Sequence, residues 1–334
     1  MAVRRNKRIT LAIVGVLVAG FAVFVYSAYS REIQAARARV SSRSEIVNTP
    51  CGQIEYAVAG SGPAVLVIHG AGGGFDQGLD LGQILMDRGF RVVSVSRFGY
   101  LRTPMPAVAS PEAQADAHAC LLEALKIGRV AVIGGSAGAP SAMQLCLRHP
   151  EMCSALVLLF PIAFAPGRAQ LKPPPFFMFV IRATLHSDFL YWAATKLARD
   201  TLIKTILGTP PEDFRAAPAE DQARALEIMR HILPISQREK GIWNDAMISP
   251  AVPRYDLERM RVPTLLISAE DDLYGTFPSA RYTADHIPGA RLVGYPTGGH
   301  LLLGHWNEAT SEVVAFLRQA TSESHTNPQA SKQR

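Results

Sequence analysis

The sequence predicts an α/β protein with a mostly parallel, doubly wound sheet, an inserted helical subdomain and one N-terminal transmembrane helix. Residues 9–30 contain no charged side chain, which is typical of a membrane span. Further along, short apolar segments alternate with stretches of helical spacing, as expected for parallel strands covered on both faces by helices. About 100 residues separate the apolar segments at 155–160 and 264–268, which leaves room for a subdomain.

The N-terminal segment has the length and composition of a membrane anchor. A helix over residues 9–30 would span ~33 Å, about the thickness of the hydrocarbon core. A basic head, residues 1–8, precedes it, and a linker rich in Ala, Arg and Ser follows over residues 31–45. The apolar run exceeds the roughly 7 to 15 residues of a secretory signal, so a retained single-pass anchor is favoured over a cleaved leader.

The orientation of this anchor is indicated only indirectly. Four arginines follow the span and nearly balance the four basic residues before it: Arg31, Arg37, Arg39 and Arg43. The short basic head and the large domain behind it favour a cytoplasmic head and an extracytoplasmic domain. We therefore expect the chain to bind the membrane through residues 9–30.

The charge distribution argues against nucleic-acid binding. The formal net charge of +6 originates in residues 1–45, which hold 8 basic and 2 acidic residues. Residues 46–334 contain 26 basic and 26 acidic residues and have no basic stripe, so no nucleic-acid partner is expected. The sequence does not indicate the oligomeric state.

The cysteines are too few for a disulfide scaffold in a chain of 334 residues and have no paired CxxC spacing of a metal site. They are most simply core residues. Translocation of the domain would permit one or two disulfides, without indicating which cysteines pair. The four positions are Cys51, Cys120, Cys146 and Cys153.

The strands of the core follow from hydrophobic periodicity. Ile54, Tyr56 and Val58 alternate with polar or small residues, which predicts a half-buried strand. Six continuous apolar runs predict buried parallel strands at residues 64–68, 91–95, 129–133, 155–160, 264–268 and 291–295. Helical spacing appears at 111–126 and 305–319. The predicted core therefore comprises residues 46–161 and 261–320.

The predicted helical cap is residues 162–260, because this insert leaves the sheet at the carboxyl end of a strand, where ligands bind in such folds. Its apolar side chains could line an acyl-binding pocket, although most should pack the cap against the sheet: Phe176, Phe177, Phe179, Leu190, Tyr191 and Trp192. The polar tail, residues 321–334, is predicted to be disordered.

One serine is placed as a nucleophile would be. Ser136 follows a predicted strand and precedes a predicted helix, so Gly134-Gly135-Ser136-Ala137-Gly138 is G-x-S-x-G in a strand-turn-helix context. A sharp turn exposes the serine oxygen, and side chains two residues to either side would collide with neighbouring backbone. The alternative is a glycine-rich turn in which Ser136 merely caps the helix.

An acid and a base follow in the chain order expected for a triad. Asp272 comes just after the strand at 264–268, and His300 just after that at 291–295. A serine hydroxyl needs an imidazole to take its proton and a carboxylate to orient that imidazole. Asp271 and Glu270 compete with Asp272, and His305 competes with His300. The remaining histidines have no metal-ligand spacing.

These motifs together resemble the α/β-hydrolase superfamily over about residues 45–320. HGAGGG at 69–74 is similar to its oxyanion loop, SRFGYLRTP at 96–104 to the turn after the next strand, and GGSAG, EDD and GGH to its nucleophile, acid and base loops. The resemblance implies that Ser136 is the nucleophile, His300 the general base and then acid, and Asp272 the orienting carboxylate. It also implies that the amides of Ala71 and Ala137 form the oxyanion hole.

The resulting expectation is a serine hydrolase that cleaves an ester of a hydrophobic acyl group near the membrane. The same triad could serve hydrolysis of a carbon-carbon bond, a thioester or a lactone, or peracid formation, and a low-turnover ligand-binding protein is a third possibility. A phosphate loop is disfavoured, because the glycine run lacks the Gly-Lys-Ser/Thr ending. No metal or organic cofactor is implied.

Overall fold

The core of the protein is an eight-stranded sheet. A computed structural model describes residues 2–167 and 184–326. The strand order is β1-β2-β4-β3-β5-β6-β7-β8, in which β1 and β2 are antiparallel to their neighbours and the other pairings are parallel. The strands are β1 Glu45–Thr49, β2 Gly52–Gly60, β3 Ala64–Ile68, β4 Arg91–Val95, β5 Val130–Gly135, β6 Cys153–Leu159, β7 Thr264–Ala269 and β8 Arg291–Tyr295.

Helices cover both faces of this sheet, which explains why its inner strands β3 to β7 are continuously apolar. The run at 291–295, predicted to be a buried strand, is the edge strand β8, which is exposed or half-buried except at Tyr295 because no strand flanks its outer side. The helices on one face are α2 Phe75–Asp87 and α11 Trp306–Thr326. Those on the other face are α3 Pro111–Ala124, α4 Ala139–Arg148 and α10 Thr276–His286. The predicted α/β-hydrolase fold, with its mostly parallel sheet and helical insert, is confirmed.

The insert between β6 and β7 contributes a layer of helices over the carboxyl ends of the strands. These are α5 Asp188–Leu197, α6 Arg199–Thr205, α7 Pro211–Ala216, α8 Ala219–His231 and α9 Glu239–Ile248. Buried side chains of α6, α7 and α8 pack together with Leu301 and Leu303, which follow β8. We refer to the described part of this insert as the cap.

The N-terminal helix, α1 Ala2–Ser41, is long and apolar enough to cross a membrane. The large apolar side chains that project from it between Leu11 and Phe24 are exposed. The linker predicted for residues 31–45 is instead largely helical, since α1 continues to Ser41 and β1 begins at Glu45. The helix persists because Ile33 and Ala36 are buried against the cap, and Val40 is buried as well.

Two further features differ from the expectations. The tail predicted to be disordered from residue 321 is helical as far as Thr326, and residues 327–334 lie outside the described residues. The cysteines form two pairs instead of four separate core thiols. Cys51 in the β1–β2 turn is bonded to Cys120 of α3 with a Cα–Cα distance of 6.1 Å, and Cys146 of α4 to Cys153 of β6 with 5.2 Å.

Candidate active site

Ser136 lies on a strained turn at the carboxyl end of β5. Its φ is 49°, a left-handed value that is uncommon for a residue with a side chain. A Cβ at Gly134 would lie 2.6 Å from the Ala142 Cβ, and one at Gly138 would lie 2.6 Å from the carbonyl oxygens of Ile68 and His69. The glycines are therefore required by close packing of the turn against α4 and β3.

The structure brings the three predicted triad residues together. His300 Nε2 lies 2.9 Å from Ser136 Oγ, and His300 Nδ1 lies 2.7 Å from Asp272 Oδ2. All three side chains are buried. The rings of Phe160 and Tyr274 contact the imidazole at centroid distances of 4.6 and 4.9 Å, so two aromatic side chains pack against His300.

The competing carboxylates have different partners. Asp272 Oδ1 accepts the backbone N–H of Tyr274 at 2.8 Å, and its Oδ2 accepts the Thr276 hydroxyl as well as His300. Asp271 instead accepts the backbone N–H groups of Gly298 and Gly299 at 3.1 and 2.9 Å. Asp272 thus contacts the imidazole, whereas Asp271 organises the loop that carries it.

The other competing groups lie elsewhere. The Glu270 residue is exposed and its backbone N–H pairs with the carbonyl of Tyr295. The His305 ring stacks on the Tyr295 ring with centroids 4.4 Å apart, just before α11. Neither side chain is therefore part of the hydrogen-bonded chain that ends at Ser136.

The predicted oxyanion residues line the same cavity as Ser136. Ala71 belongs to the loop after β3, and Ala137 lies in the first turn of a short 3₁₀ helix, Ser136–Gly138, where backbone N–H groups have no partner within the helix. The Gln77 Oε1 atom accepts the Gly70 N–H at 3.0 Å and so orders the loop. No sequence pattern pointed to Gln77.

His69 supports this loop through both nitrogens of its ring. Its Nδ1 donates to the Gly70 carbonyl at 2.6 Å, and its Nε2 accepts the Arg97 backbone N–H at 3.0 Å. Burial, reinforced by the nearby Arg97 charge, lowers the pKa of His69 well below its usual value. The imidazole therefore stays neutral and keeps its donor and acceptor roles.

A buried ion-pair network joins the oxyanion loop to the cap and to α1. Arg238, fully buried, donates to Asp76 Oδ2 at 2.7 Å and to the Gly73 carbonyl oxygen. Arg39 of α1 donates to the same carboxylate and to two cap carbonyls, at His231 and Leu233. Burial would raise the pKa of Asp76, but the two guanidinium groups outweigh it and lower the pKa to about 2.

A second network lies beside the first. Arg97 donates to both carboxylate oxygens of Asp245, at 2.7 and 2.6 Å, and the Tyr100 hydroxyl donates to the same carboxylate. Arg97 also donates to the carbonyl oxygens of His69 and Gly70. Because Asp245 belongs to α9, this network fixes the cap over the oxyanion loop. Neither network has a local sequence signal, because Arg97 and Asp245 are 148 residues apart and Asp76 and Arg238 are 162 residues apart.

The cap is also fastened to the triad loops directly. The Gly208 carbonyl accepts the backbone N–H of Leu273 at 3.0 Å and that of His300 at 3.3 Å. The Tyr274 hydroxyl donates to the carbonyls of Thr205 and Ile206. The loop between α6 and α7 therefore shares hydrogen bonds with both the acid loop and the base loop.

A cavity of about 630 Å³ opens at Ser136 and His300. The cap contributes five large aliphatic side chains to its wall: Ile206, Leu207, Ile228, Ile232 and Ile242. Of the side chains predicted to line it, Tyr191 and Trp192 pack against α1 instead, and Leu190 is exposed. The predicted Phe176, Phe177 and Phe179 lie outside the described residues.

The polar groups of the cavity are mostly paired. Arg224 is the cationic side chain among the described lining residues, and it donates to Asp221 and to the Leu301 carbonyl. Its guanidinium also lies over the Trp306 ring, 4.3 Å from the centroid. In the described ranges, no group of three or more His, Cys, Asp or Glu side chains could hold a metal ion.

A family model for the alpha/beta hydrolase fold matches residues 63–304, which is more than half of the chain. The chain belongs to the α/β-hydrolase superfamily. This hydrolase is 24% identical to the uncharacterized hydrolase YcgS of Bacillus subtilis over 273 residues, covering 78% of the chain and 92% of the relative. It is also 24% identical to 2-hydroxy-6-oxo-6-phenylhexa-2,4-dienoate hydrolase of Comamonas testosteroni, covering 80% and 91%.

Solved structures show the same architecture. An alpha/beta hydrolase fold protein from Nakamurella multipartita superposes on this hydrolase with a TM-score of 0.66 and 26% sequence identity. The match covers 82% of the chain and 99% of that structure. The resemblance inferred from the sequence motifs is thereby confirmed at the level of the superfamily.

Proposed function

We propose that this hydrolase is a serine carboxylic-ester hydrolase that acts through an acyl-enzyme on Ser136. The observation that carries the proposal is the continuous hydrogen-bonded chain from Asp272 through His300 to Ser136 Oγ, which ends in an apolar cavity. A serine activated in this way attacks acyl carbons.

In the first half-reaction, His300 Nε2 takes the Ser136 proton while Oγ forms a bond to the ester carbonyl carbon. Asp272 holds the Nδ1–H, which leaves Nε2 unprotonated at the start and balances the imidazolium that forms. The imidazolium then gives its proton to the leaving alkoxide. The alcohol departs, and the acyl group remains on Ser136.

In the second half-reaction, water takes the place of the alcohol. His300 accepts a proton from the water, whose oxygen attacks the acyl carbon, and the proton then returns to Ser136 Oγ as the carboxylic acid leaves. The negative oxygen of each tetrahedral intermediate is stabilised by the backbone N–H groups of Ala71 and Ala137. Gln77 and His69 hold the first of these amides in place through Gly70.

The cavity favours a neutral, hydrophobic acyl group. Its volume of about 630 Å³ is within the range of small-molecule sites, and the cap contributes five large aliphatic side chains to its wall. An anionic acyl group would need a cation to replace its hydration, but Arg224 is engaged by Asp221. Asp80 and Glu227 add negative charge to the lining.

Carbon-carbon bond hydrolysis is the second candidate, and it rests on the similarity to the dienoate hydrolase of Comamonas testosteroni. That reaction would use the same serine and histidine, but its substrate is an anion. The described lining residues therefore favour the ester over the dienoate.

The test is a steady-state comparison of kcat/KM over p-nitrophenyl esters of graded acyl length and a 6-phenyl dienoate, with Ser136→Ala as the control. Turnover of the esters that rises with acyl length and disappears in the variant supports the proposal. Turnover of the dienoate at a higher kcat/KM than every ester would replace it by the second candidate. No Ser136-dependent turnover of any substrate would favour a ligand-binding protein.

We further propose that α1 anchors the hydrolase in a membrane and that the catalytic domain is extracytoplasmic. The exposed apolar helix supports the anchor, and the two cysteine pairs support an oxidising compartment. Peptide mapping without reduction should recover Cys51 joined to Cys120 and Cys146 joined to Cys153. A C-terminal reporter that is active only in the cytoplasm should be inactive, and an active one would contradict this orientation.

A further inference from the structure

The cap docks on α1 at the end of its uncharged run. The Tyr29 ring packs edge-on against Phe189 and Trp192 of α5, with ring centroids 5.2 and 5.6 Å apart. Val25 and Ala28 of α1 are partly buried in the same cluster. The contact therefore begins inside the segment that we propose to be the membrane span, before its last residue at position 30.

Further contacts extend this docking along α1. Ile33, Ala36 and Val40 form a buried stripe with helical spacing, and the first two pack in the same cluster as cap side chains. Ion pairs flank it on two sides, from Arg37 to Asp188 at 3.3 Å and from Lys196 to Glu32 at 2.8 Å. The depth of α1 in a membrane therefore fixes the depth of α5.

That depth follows from helix geometry. With a rise of 1.5 Å per residue, the positions from Val25 to Tyr29 lie within ~8 Å of the end of the uncharged run. The interfacial layer of a bilayer is about 5 to 8 Å thick on each side of the hydrocarbon core. Tyr29 is one residue, ~1.5 Å, from the end of the run, so it lies at the boundary between the core and this layer, together with the side chains that contact it.

Two exposed apolar side chains of α5 suit such a position. Phe189 is 41% exposed and Leu190 is 45% exposed, although both are large and apolar. Tyr26 on α1 is also exposed, and aromatic rings are enriched at membrane interfaces. Arg31, exposed one residue beyond the uncharged run, can reach lipid phosphates.

We propose that Phe189 and Leu190 of α5, together with Tyr26 of α1, form a membrane-contact surface that rests in the interfacial layer of the bilayer. This inference rests on the proposed anchoring by α1. The partner is lipid, because α1 leads directly from this surface into the span. The cap of the hydrolase is then held against the membrane.

The test uses the full chain with one copy in each phosphatidylcholine nanodisc. All four cysteines are paired, so Leu190→Cys gives a unique site for an environment-sensitive fluorophore. Val108→Cys is the matched control, because Val108 is an exposed aliphatic residue in the core loop before α3. Lipids with a nitroxide near the headgroup should quench the label at position 190 at least threefold more than at 108.

The outcomes separate this inference from the anchor on which it rests. Equal quenching at the two positions, in a chain that co-elutes with the nanodisc and resists alkaline carbonate, would overturn the contact surface and leave the anchor in place. A chain that does not co-elute would overturn both. A blue-shifted label at 190 that nitroxide lipids do not quench would mean that protein covers this surface, which also overturns the proposal.

Discussion

Replacing Asp272 by asparagine should force the wrong tautomer on His300. Asp272 Oδ1 accepts the Tyr274 backbone N–H, which can only donate and whose direction is fixed by the backbone. An asparagine at this position must place its single oxygen there and its NH₂ group where Oδ2 stood, facing His300 Nδ1. The NH₂ group then donates to Nδ1, and the ring proton moves to Nε2. His300 can no longer accept the Ser136 proton.

The expected cost is large. The same substitution in a Ser-His-Asp triad lowers kcat by about 10⁴, which corresponds to ~5 kcal/mol of transition-state stabilisation. The fold should be retained, because asparagine matches aspartate in shape and the Thr276 hydroxyl can rotate to accept from the new NH₂ group. Saturating turnover of a short p-nitrophenyl ester and the far-UV circular dichroism spectrum measure the two effects.

Asp271→Asn is the matched control. Asp271 accepts two backbone N–H groups, and an asparagine can keep only one of these charge-assisted bonds. The loss of about 1.5 to 3 kcal/mol acts on the loop before His300, so kcat should fall by no more than about 10²-fold. A loss of about 10⁴ in Asp271→Asn, with a smaller loss in Asp272→Asn, would refute the assignment of the acid.

Three further perturbations test the supporting structure. Deleting residues 2–28 should leave short-ester turnover intact. Deleting residues 2–41 also removes the buried stripe of α1 and should lower the melting temperature by about 10 °C. Equal melting temperatures of the two deletion variants would contradict the docking. Gly138→Ala places a Cβ 2.6 Å from two carbonyl oxygens and should give little folded protein, whereas Gly128→Ala, with open space around its Cβ, should melt like the wild type. A hydrogen bond to the Asp271 carboxyl raises the pKa of Asp213 to about 6. Ionisation of Asp213 therefore destabilises the folded state as the pH rises from about 4 to above 6. Asp213→Asn should therefore raise the melting temperature at pH 8 and not at pH 4, and an equal change at both would exclude this cause.

The parts of the fold that depend on local pattern could be predicted from the sequence. The run at 64–68 is β3 and that at 91–95 is β4, because strands buried on both faces leave an unbroken apolar signal. The turn at Ser136 was equally visible, because its steric requirement falls on glycines two residues to either side. In these cases the physical cause and its sequence signal occupy the same few residues.

The remaining features depend on contacts between distant segments. Nothing in the sequence near Arg39 indicates that it binds Asp76 or the carbonyl of Leu233, 194 residues away. Tyr191 and Trp192 are apolar side chains on a cap helix, and only the position of α1 decides that they face it instead of the cavity.

Labelling with a fluorophosphonate probe tests the central claim most directly, because the probe reacts only with a serine that is already activated. Intact mass and peptide mapping of the labelled full chain should show one adduct, on the peptide that contains Ser136. The folded Ser136→Ala variant should show none. An unlabelled wild type, or a variant that labels as well as the wild type, would contradict the assignment of Ser136 as the nucleophile.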